Sequence, residues 1–567
     1  MAEAAGPTMT KARVGRSGPK VKSGCRTCKI RRVKCDEGRP ACRKCVSTGR
    51  KCDGYGIWGG GSSTHTHHTD GRLALKRNPF PLFVDAPGED EHCCFEWFRS
   101  RTAKKLPGPF EPVFWETVVL GASFEEPAVL HAVLALGLAH KKESLEGDCQ
   151  DVAMDAPDEE EQFILRHYSE SIRQLAPHFV NKSRSSIRVA LIACMVFVCL
   201  EFIRGRYRTG NEHLNNGMRL LGQLAGQGST IDLKASRDPV DTWLLETFAK
   251  LNLQSNLLGQ GTRFLYQARQ GLDMYPLPVL FKTMGDARKR LDWLQHEIGQ
   301  MAGEREHCSA ASPQPLQVMS CRQQLLVTQL IAWKRVCDVS RSTLLASMGP
   351  IGRIMYTILH LYYHMAFIMA STCLADTEDV YDQHTEDFLE IVNEAIALHQ
   401  CIASDGLGAS PFAHRPDVAP FTSDKGWIPP LYFTAIKCRA HRVRLHAVRL
   451  LSTIPSKEGI WDAKLAATIG AEVMRLEEQG LDPNLKNKDN FAPHSAPSAD
   501  EARSCFAPCE SRLRHVQVTL PNGRHDKTAI RCIPVTRYAV NDAILREYDP
   551  VQNVWQDAPE SVNVPIG

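Results

Sequence analysis

Six of the chain's twenty cysteines fall within 28 residues near the N-terminus, and their spacing constrains the fold more than any other feature of the sequence. The spacing is C-x2-C-x6-C-x6-C-x2-C-x6-C, so the last three cysteines repeat the first three at an offset of 17 residues. Each half of this internal duplication therefore supplies three thiol groups. The six are Cys25, Cys28, Cys35, Cys42, Cys45 and Cys52.

Three thiolates in each half indicate a cluster of two metal ions. Zinc in structural sites has four ligands, at about 2.3 Å when they are sulfur. Two zinc ions need eight coordination positions, which six sulfurs fill only if two of them bridge the metals. The duplication requires that the bridging cysteines occupy equivalent positions in the two halves. That leaves three alternatives, which are Cys25 with Cys42, Cys28 with Cys45, and Cys35 with Cys52.

Other interpretations of the cysteines fit the sequence less well. Residues 1–24 contain no apolar segment of the kind a secretory signal needs, so an oxidising compartment with disulfides is not expected. A four-thiolate zinc ribbon would leave two cysteines without a role. The most apolar stretch, 189–200, is too short to span a membrane. We therefore expect a soluble intracellular protein whose N-terminal module folds around metal, because a segment this short has too small a core to fold alone.

The residues around the first three cysteines are strongly basic. Residues 1–52 hold 15 Lys/Arg against 3 Asp/Glu, a net charge of +12, whereas the rest of the chain carries −8. Seven cations and no acid lie between Lys20 and Lys34. If residues 29–34 form a short helix, Ile30 and Val33 share one face and the arginines and Lys34 point outward. Such a density of cations on a compact module predicts contact with nucleic acid.

The side chains in this stretch suit two kinds of DNA contact. The guanidinium groups of Arg31 and Arg32 match guanine O6 and N7 in the major groove. Lysine side chains are point charges that suit phosphate oxygens. We expect phosphate contacts from four lysines, which are Lys20, Lys22, Lys29 and Lys34.

The segment Gly24–Asp36 (GCRTCKIRRVKCD), followed by Arg39-Pro40-Ala41-Cys42 and then by 45–52, resembles a fungal binuclear zinc cluster transcription factor. The resemblance implies two short helices around two Zn²⁺ ions, with Cys25 and Cys42 as the bridging pair. It also implies that Arg31 and Arg32 read a CGG-type triplet. The function implied is sequence-specific DNA binding in the nucleus and regulation of transcription by RNA polymerase II, with double-stranded DNA and transcription co-regulators as partners.

Beyond the cysteines the sequence predicts a linker and then a large helical domain. The expected boundaries are a basic arm over 1–19, the zinc cluster domain over 20–54, a flexible linker over 55–88, a helical regulatory domain over 89–545 and a tail over 546–567. No heptad repeat of a dimerising coiled coil lies between residues 54 and 91. The chain is therefore expected to bind DNA as a monomer, or to form a homodimer through the helical domain.

The fold class predicted for the whole chain is a small metal-stabilised domain joined to a mainly all-α domain with a C-terminal hairpin. Apolar residues at helical spacing predict a central core helix over 189–203 and further helices over 351–370, 388–402, 434–451 and 461–478. Alternation at Val516, Val518 and Leu520, followed by Pro521-Asn522-Gly523, predicts one β-hairpin with Ile530 and Cys532 on the return strand. Segments such as 114–115, 126–137 and 458–461 loosely resemble the helical regulatory domain of the same family.

Two alternative hypotheses concern the helical domain. It could bind a small metabolite that switches DNA binding, or it could be a zinc-dependent enzyme that uses His360 and His364, which lie one helical turn apart. No nucleotide-binding loop, zinc-protease motif or hydrolase motif occurs in the chain, so we do not expect an enzyme. The acidic run 155–161 is expected to be a solvated loop, with an activation patch as the alternative.

Overall fold

A computed structural model of the 567-residue chain describes most of the sequence. The described residues are 28, 31, 33–36, 42–50, 88–110, 113–146, 158–180, 183–224, 239–260, 277–307, 313–346, 348–404, 421–454, 456–481, 489–503, 505–535 and 543–558. The chain divides into two compact units, residues 1–73 and 74–567.

The first unit contains one described helix, α1 (Arg43–Val46), which starts directly after Cys42. The second unit is mainly helical. Its α-helices are α2 (Glu89–Trp97), α3 (Ala103–Lys105), α4 (Leu120–Ser123), α5 (Pro127–Glu146), α6 (Glu159–Val180), α7 (Arg184–Ile203), α8 (Tyr207–Leu224), α9 (Pro239–Leu257), α10 (Met284–His307), α11 (Pro313–Val339), α12 (Arg341–Ala346), α13 (Gly349–Thr372), α14 (Thr385–Ser404), α15 (Ile428–Lys437), α16 (His441–Thr453), α17 (Ala463–Glu477) and α18 (Ala499–Ala502). Shorter π- and 3₁₀-helical segments cover Phe98–Thr102, Phe114–Val119, Glu378–His384 and Cys509–Ser511.

Helix α7 forms the centre of the N-terminal helical layer, as its all-round apolar sequence predicts. Every residue from Arg188 to Ile203 is buried, and α7 packs against α5, α6 and α8. Among the described residues this is the one helix long and apolar enough to cross a membrane, and 94% of its apolar window is buried inside the protein. A helix covered by protein on all sides behaves as the core of this layer.

The structure corrects the prediction of one continuous helix over 434–451. Helix α15 ends at Lys437 and α16 begins at His441, so the chain is extended between them. Ala440 forms an antiparallel bridge with Phe506, and the N–H of Ala507 donates to the carbonyl of Arg439 at 2.9 Å. Both helices bury apolar residues at helical spacing, such as Leu431 and Ala435 in α15 and Val443 and Ala447 in α16. Periodicity alone therefore could not show that a distant segment pairs with the backbone here.

The C-terminal sheet has four antiparallel strands, each paired with the next one along the chain. Strands β4 (Leu513–Thr519) and β5 (Thr528–Pro534) are paired with Val516 opposite Cys532 and Val518 opposite Ile530. The sheet continues with β6 (Ile544–Asp549) and β7 (Val554–Asp557), two strands that were not predicted from the sequence. Every residue of β6 is half-buried, which explains why it shows no alternation. Strand β6 also runs across the expected domain boundary at 545/546.

A second, small sheet lies inside the helical unit and anchors a buried loop. Strand β1 (Phe421–Thr422) runs parallel to β2 (Lys457–Glu458), which pairs antiparallel with β3 (Trp461–Asp462). The residues from 421 to 430 are all buried. The Glu458 carboxylate accepts the N–H groups of residues 426, 427 and 428 at 3.0 to 3.2 Å. Burial nevertheless raises the pKa of Glu458 to about 7.

The loop and the small sheet bind the early helices to the late ones. Trp115 donates its indole N–H to the Ser423 hydroxyl at 3.1 Å. Tyr207, at the start of α8, donates its hydroxyl to Asp462 at 3.1 Å. The buried Arg288 guanidinium of α10 forms an ion pair with Asp424. These two hydrogen bonds and this ion pair therefore join residues that lie more than 130 positions apart in the sequence.

Candidate metal centre and nucleic-acid interface

Four of the six clustered cysteines lie in the described part of the first unit, and all four are buried. The Sγ atoms of Cys28, Cys35 and Cys42 all lie within 4.8 Å of one another. The Sγ atom of Cys28 is 3.6 Å from that of Cys42 and 3.9 Å from that of Cys45. Sulfurs at about 2.3 Å from a tetrahedral zinc are about 3.8 Å apart, so these spacings fit thiolate ligands of zinc. Cys25 and Cys52 lie outside the described residues.

The triad joins the two halves of the duplication. Cys28 and Cys35 belong to the first half, whereas Cys42 is the first cysteine of the second half. Cys45 is not part of this triad, although it lies close to Cys28. A cysteine of the second half therefore lies together with two cysteines of the first half in a geometry that could hold a metal ion.

The start of helix α1 involves Cys42, a member of the cysteine triad. Cys42 is its N-cap in an extended conformation, and its sulfur accepts the N–H of Cys45 at 3.3 Å. The carboxylate of Asp36 accepts the N–H of Arg43 at 2.9 Å and that of Lys44 at 3.0 Å. These hydrogen bonds lower the pKa of Asp36, and the one from Lys44 has the larger effect. Asp36 thus accepts two of the first three N–H groups of α1, and Cys42 accepts the third, so an acid from the first half helps to fix the start of the helix.

The other end of α1 is held by Arg31. Its Nη1 donates to the backbone carbonyl of Lys44 at 3.2 Å and to Thr48 Oγ1 at 3.1 Å. Thr48 Oγ1 in turn lies 2.9 Å from the Lys44 carbonyl and 3.1 Å from the Cys45 carbonyl. The sequence analysis did not find Thr48 or Asp36. The sequence does contain one indication of Thr48, because Arg31 and Thr48 are separated by the repeat period of 17 residues.

The structure also corrects the expected helix over 29–34 at its C-terminal end. Residues 33–36 are not helical, and the N–H of Val33 donates to the carbonyl of Cys28 at 3.0 Å. Val33 is 40% exposed. Lys34 is exposed, and Arg31 is half-buried because it reaches across to α1. The other residues expected to contact DNA, Lys20, Lys22, Lys29 and Arg32, lie outside the described residues.

The described surface of the first unit carries cations from both halves. Lys34 from the first half is exposed, as are Arg43, Lys44 and Arg50 from the second. One described acid, Asp36, has its carboxylate bonded to backbone N–H groups. This surface attracts a polyanion and leaves the metal thiolates beneath it.

Two family models match the chain. Residues 23–57 match the fungal Zn(2)-Cys(6) binuclear cluster domain, and residues 106–294 match the fungal specific transcription factor domain. The chain is a fungal zinc cluster transcription regulator. It binds DNA and carries two zinc ions in its cluster. The second match covers the first part of the helical unit, where the sequence resemblance to the regulatory domain was looser.

Two of the curated relatives with the longest matched segments are named as transcription regulators. The aspercryptin biosynthesis cluster-specific transcription regulator atnN of Emericella nidulans is 25% identical over 561 residues, covering 81% of this chain and 88% of the relative. The transcription regulator lscL of Purpureocillium lilacinum is 27% identical over 34% of this chain and 47% of its own length. The sterol uptake control protein 2 of Saccharomyces cerevisiae is 64% identical over 33 residues. No solved structure matches the regulator.

The described residues do not support a second zinc site at His360 and His364. His360 Nε2 lies 3.5 Å from Asp338, and His364 Nδ1 lies 3.1 Å from Asp387, so the two rings face different carboxylates. Among the described residues, the cysteine triad is the one group of three or more side chains with metal-binding geometry.

The acidic run at 155–161 is described from residue 158 onward. Asp158 forms an ion pair with Lys142, and Glu161 forms one with Arg204. Asp158 is exposed, and residues 159–161 form the first turn of α6, so this end of the run is helical and not the expected loop.

Proposed function

We propose that the regulator acts in the nucleus on genes transcribed by RNA polymerase II, and that its zinc cluster docks in the major groove over a CGG-like triplet. In this proposal Arg31 and Arg32 contact base edges. Phosphate contacts come from Lys20, Lys22, Lys29 and Lys34. The observation that carries the proposal is the buried thiolate triad beneath a cationic surface, within a segment that matches the zinc cluster family.

We propose that all six cysteines hold the two zinc ions, with Cys25 and Cys42 bridging. The triad of Cys28, Cys35 and Cys42 supports this assignment, because it brings one second-half cysteine into the ligand set of the first half. Of the three equivalent pairs that the duplication allows, the pair containing Cys42 fits this set directly. The bound zinc supplies no chemistry to a substrate, and its role is to fold the module.

The proposed organisation has a basic arm over 1–19, the cluster domain over 20–54, a linker over 55–88 and the helical domain from residue 89. This domain includes the C-terminal sheet, because β6 runs across the boundary expected at 545/546. The helical domain is proposed to recruit transcription co-regulators and to provide any homodimer contact. No observation in the described part of the chain favours the alternative that this domain binds a metabolite. The proposal includes no catalytic activity, since the matched families and relatives are transcription regulators.

The target genes are proposed to form a biosynthetic gene cluster. The relative from Emericella nidulans is named for the aspercryptin biosynthesis cluster, and a relative from Pestalotiopsis fici is named the pestheic acid cluster transcriptional regulator 3. Deletion of the gene followed by transcript sequencing tests this part. Altered transcripts scattered over unlinked genes would contradict it.

Selection of binding sites from a randomised duplex library tests the central proposal. The full-length, zinc-loaded protein is used at a fixed salt concentration, because affinity for DNA depends steeply on salt. Enrichment of one CGG-like triplet is expected for a monomer, and two triplets at fixed spacing are expected for a dimer. Absence of any enriched sequence from a protein that holds two zinc ions would refute the proposed recognition.

A further inference from the structure

Arg31 and Thr48 occupy equivalent positions in the two halves of the duplication, and they are in direct contact. The repeat period of 17 residues relates them just as it relates Cys28 to Cys45. Arg31 Nη1 donates to Thr48 Oγ1 at 3.1 Å and to the Lys44 carbonyl at 3.2 Å. An arginine expected to reach away from the cluster is thus joined to its counterpart across the internal symmetry.

The contact uses one corner of the guanidinium. Nη1 carries two N–H groups, and the structure gives each of them an acceptor on the second half. Arginine binds guanine O6 and N7 through two parallel N–H groups, which come either from Nη1 and Nη2 or from Nε and Nη2. Because Nη1 is engaged, Nε and Nη2 form the edge that can still donate two parallel hydrogen bonds to guanine.

We propose that the contact between Arg31 and Thr48 is a latch that fixes the arginine in advance, so that its Nε/Nη2 edge faces the DNA base. This inference rests on the proposed function, in which Arg31 contacts base edges. Thr48 is then a positioning residue, since it touches no base and acts only through Arg31. Long arginine side chains lose rotamer freedom when they bind, and holding the group beforehand reduces that loss.

The latch also connects recognition to the metal cluster. The Lys44 carbonyl belongs to α1, whose first N–H groups are bonded to Asp36 and to the sulfur of Cys42. The position of the arginine therefore follows from α1, and the position of α1 follows from a metal ligand. In this arrangement the second half of the duplication sets the geometry with which the first half reads DNA.

Thr48→Val tests the latch, because valine keeps the shape of threonine and removes the hydroxyl. The full-length, zinc-loaded variant is compared with wild type for binding to the selected site and to a random duplex of equal length. The ratio of the two affinities is expected to fall by about five- to tenfold, which corresponds to the net contribution of roughly one solvent-exposed hydrogen bond. Thr48→Ser keeps the hydroxyl and is expected to stay within about twofold of wild type.

A double-mutant cycle with Arg31→Ala separates positioning from structural support. If Thr48 acts through Arg31, Thr48→Val causes no further loss of discrimination once the arginine is absent. An equal loss in both backgrounds would overturn the latch, as would a ratio for Thr48→Val equal to that of wild type. Failure of wild type itself to prefer any sequence would instead refute the proposed function.

Zinc content provides the control for folding. Wild type and Thr48→Val are each expected to hold two zinc ions per chain, since Thr48 is not a ligand. If Thr48→Val loses zinc, Thr48→Ala is tested in its place. Loss of zinc from both variants would show that Thr48 maintains the cluster itself, which would contradict the positioning role.

Discussion

Gly217 of α8 lies against Phe248 of α9 and Cys194 of α7, so adding one methyl group there tests the packing of three helices. An ideal Cβ at Gly217 would be 2.7 Å from Phe248 Cζ, closer still to Cε1, and 3.0 Å from Cys194 Sγ. Real Cβ atoms do not approach carbon so closely, and the Phe248 ring is fully buried. Relief of the overlap by Gly217→Ala therefore requires α8 and α9 to move apart.

The expected cost follows from two opposing terms. Overpacking a well-filled core costs about 1 to 3 kcal/mol. Replacing glycine by alanine inside a helix contributes about 1 kcal/mol of stability. Gly217→Ala is thus expected to lower the free energy of unfolding by up to about 2 kcal/mol. Gly222→Ala lies in the same helix, where a Cβ would meet nothing within 4 Å, and it is expected to raise that free energy by about 1 kcal/mol.

Urea unfolding of the full-length variants, followed by tryptophan fluorescence, measures both effects. The matched pair cancels helix propensity, so the difference between the two variants reports the overlap with Phe248 alone. We expect a difference of about 1 to 3 kcal/mol with similar denaturant dependence. Equal stabilisation by both substitutions would refute the close packing of α8 against α9.

Three further outcomes are expected. Cys42→Ser should leave fewer than two zinc ions per chain, as measured by mass spectrometry. Cys321 is exposed and lies outside the cluster, so Cys321→Ser should keep both zinc ions. Two zinc ions in Cys42→Ser would contradict the bridging role. Arg31→Ala should cost about 1 to 3 kcal/mol on the selected site and relax discrimination there, whereas Lys29→Ala should weaken all duplexes alike in the same titrations. Burial lowers the pKa of His140 from the unfolded value of about 6.5 to about 3. The free energy of unfolding therefore contains a contribution from neutral His140 that is fully present well above pH 6.5 and has fallen by about 2 kcal/mol at pH 5. Urea unfolding of His140→Gln should show a weaker loss of stability over that range, and an unchanged loss would exclude His140 as its source.

The sequence predicted the components of the metal centre better than their connections. Cysteine spacing and charge depend on local order along the chain, so the thiolate cluster and its cationic surface could be derived from residue counts. The capping of α1 by Asp36 and the contact from Arg31 depend on how one half folds against the other. Only the 17-residue offset between Arg31 and Thr48 carried a trace of that arrangement.

The same limit applies to the helical unit. The core helix over 189–203 has apolar residues on all sides and was predicted correctly from its pattern. The break at Ala440 was not, because the residue that pairs with it, Phe506, lies 66 positions away in a short segment without a strand pattern. Periodicity reports which side of a segment is buried, whereas backbone pairing between distant segments leaves no comparable pattern in one sequence.

The hydrogen bonds from Trp115 to Ser423 and from Tyr207 to Asp462 have a consequence for how such a regulator can be divided. The matched regulatory region ends at residue 294, but two of its side chains complete their bonding only with residues beyond 420. A truncation at that boundary would expose polar groups and apolar surface that the intact chain covers. If the chain is divided near residue 294, by alternative splicing or by truncation, the two fragments must reassociate to complete these bonds and do not form two independent proteins.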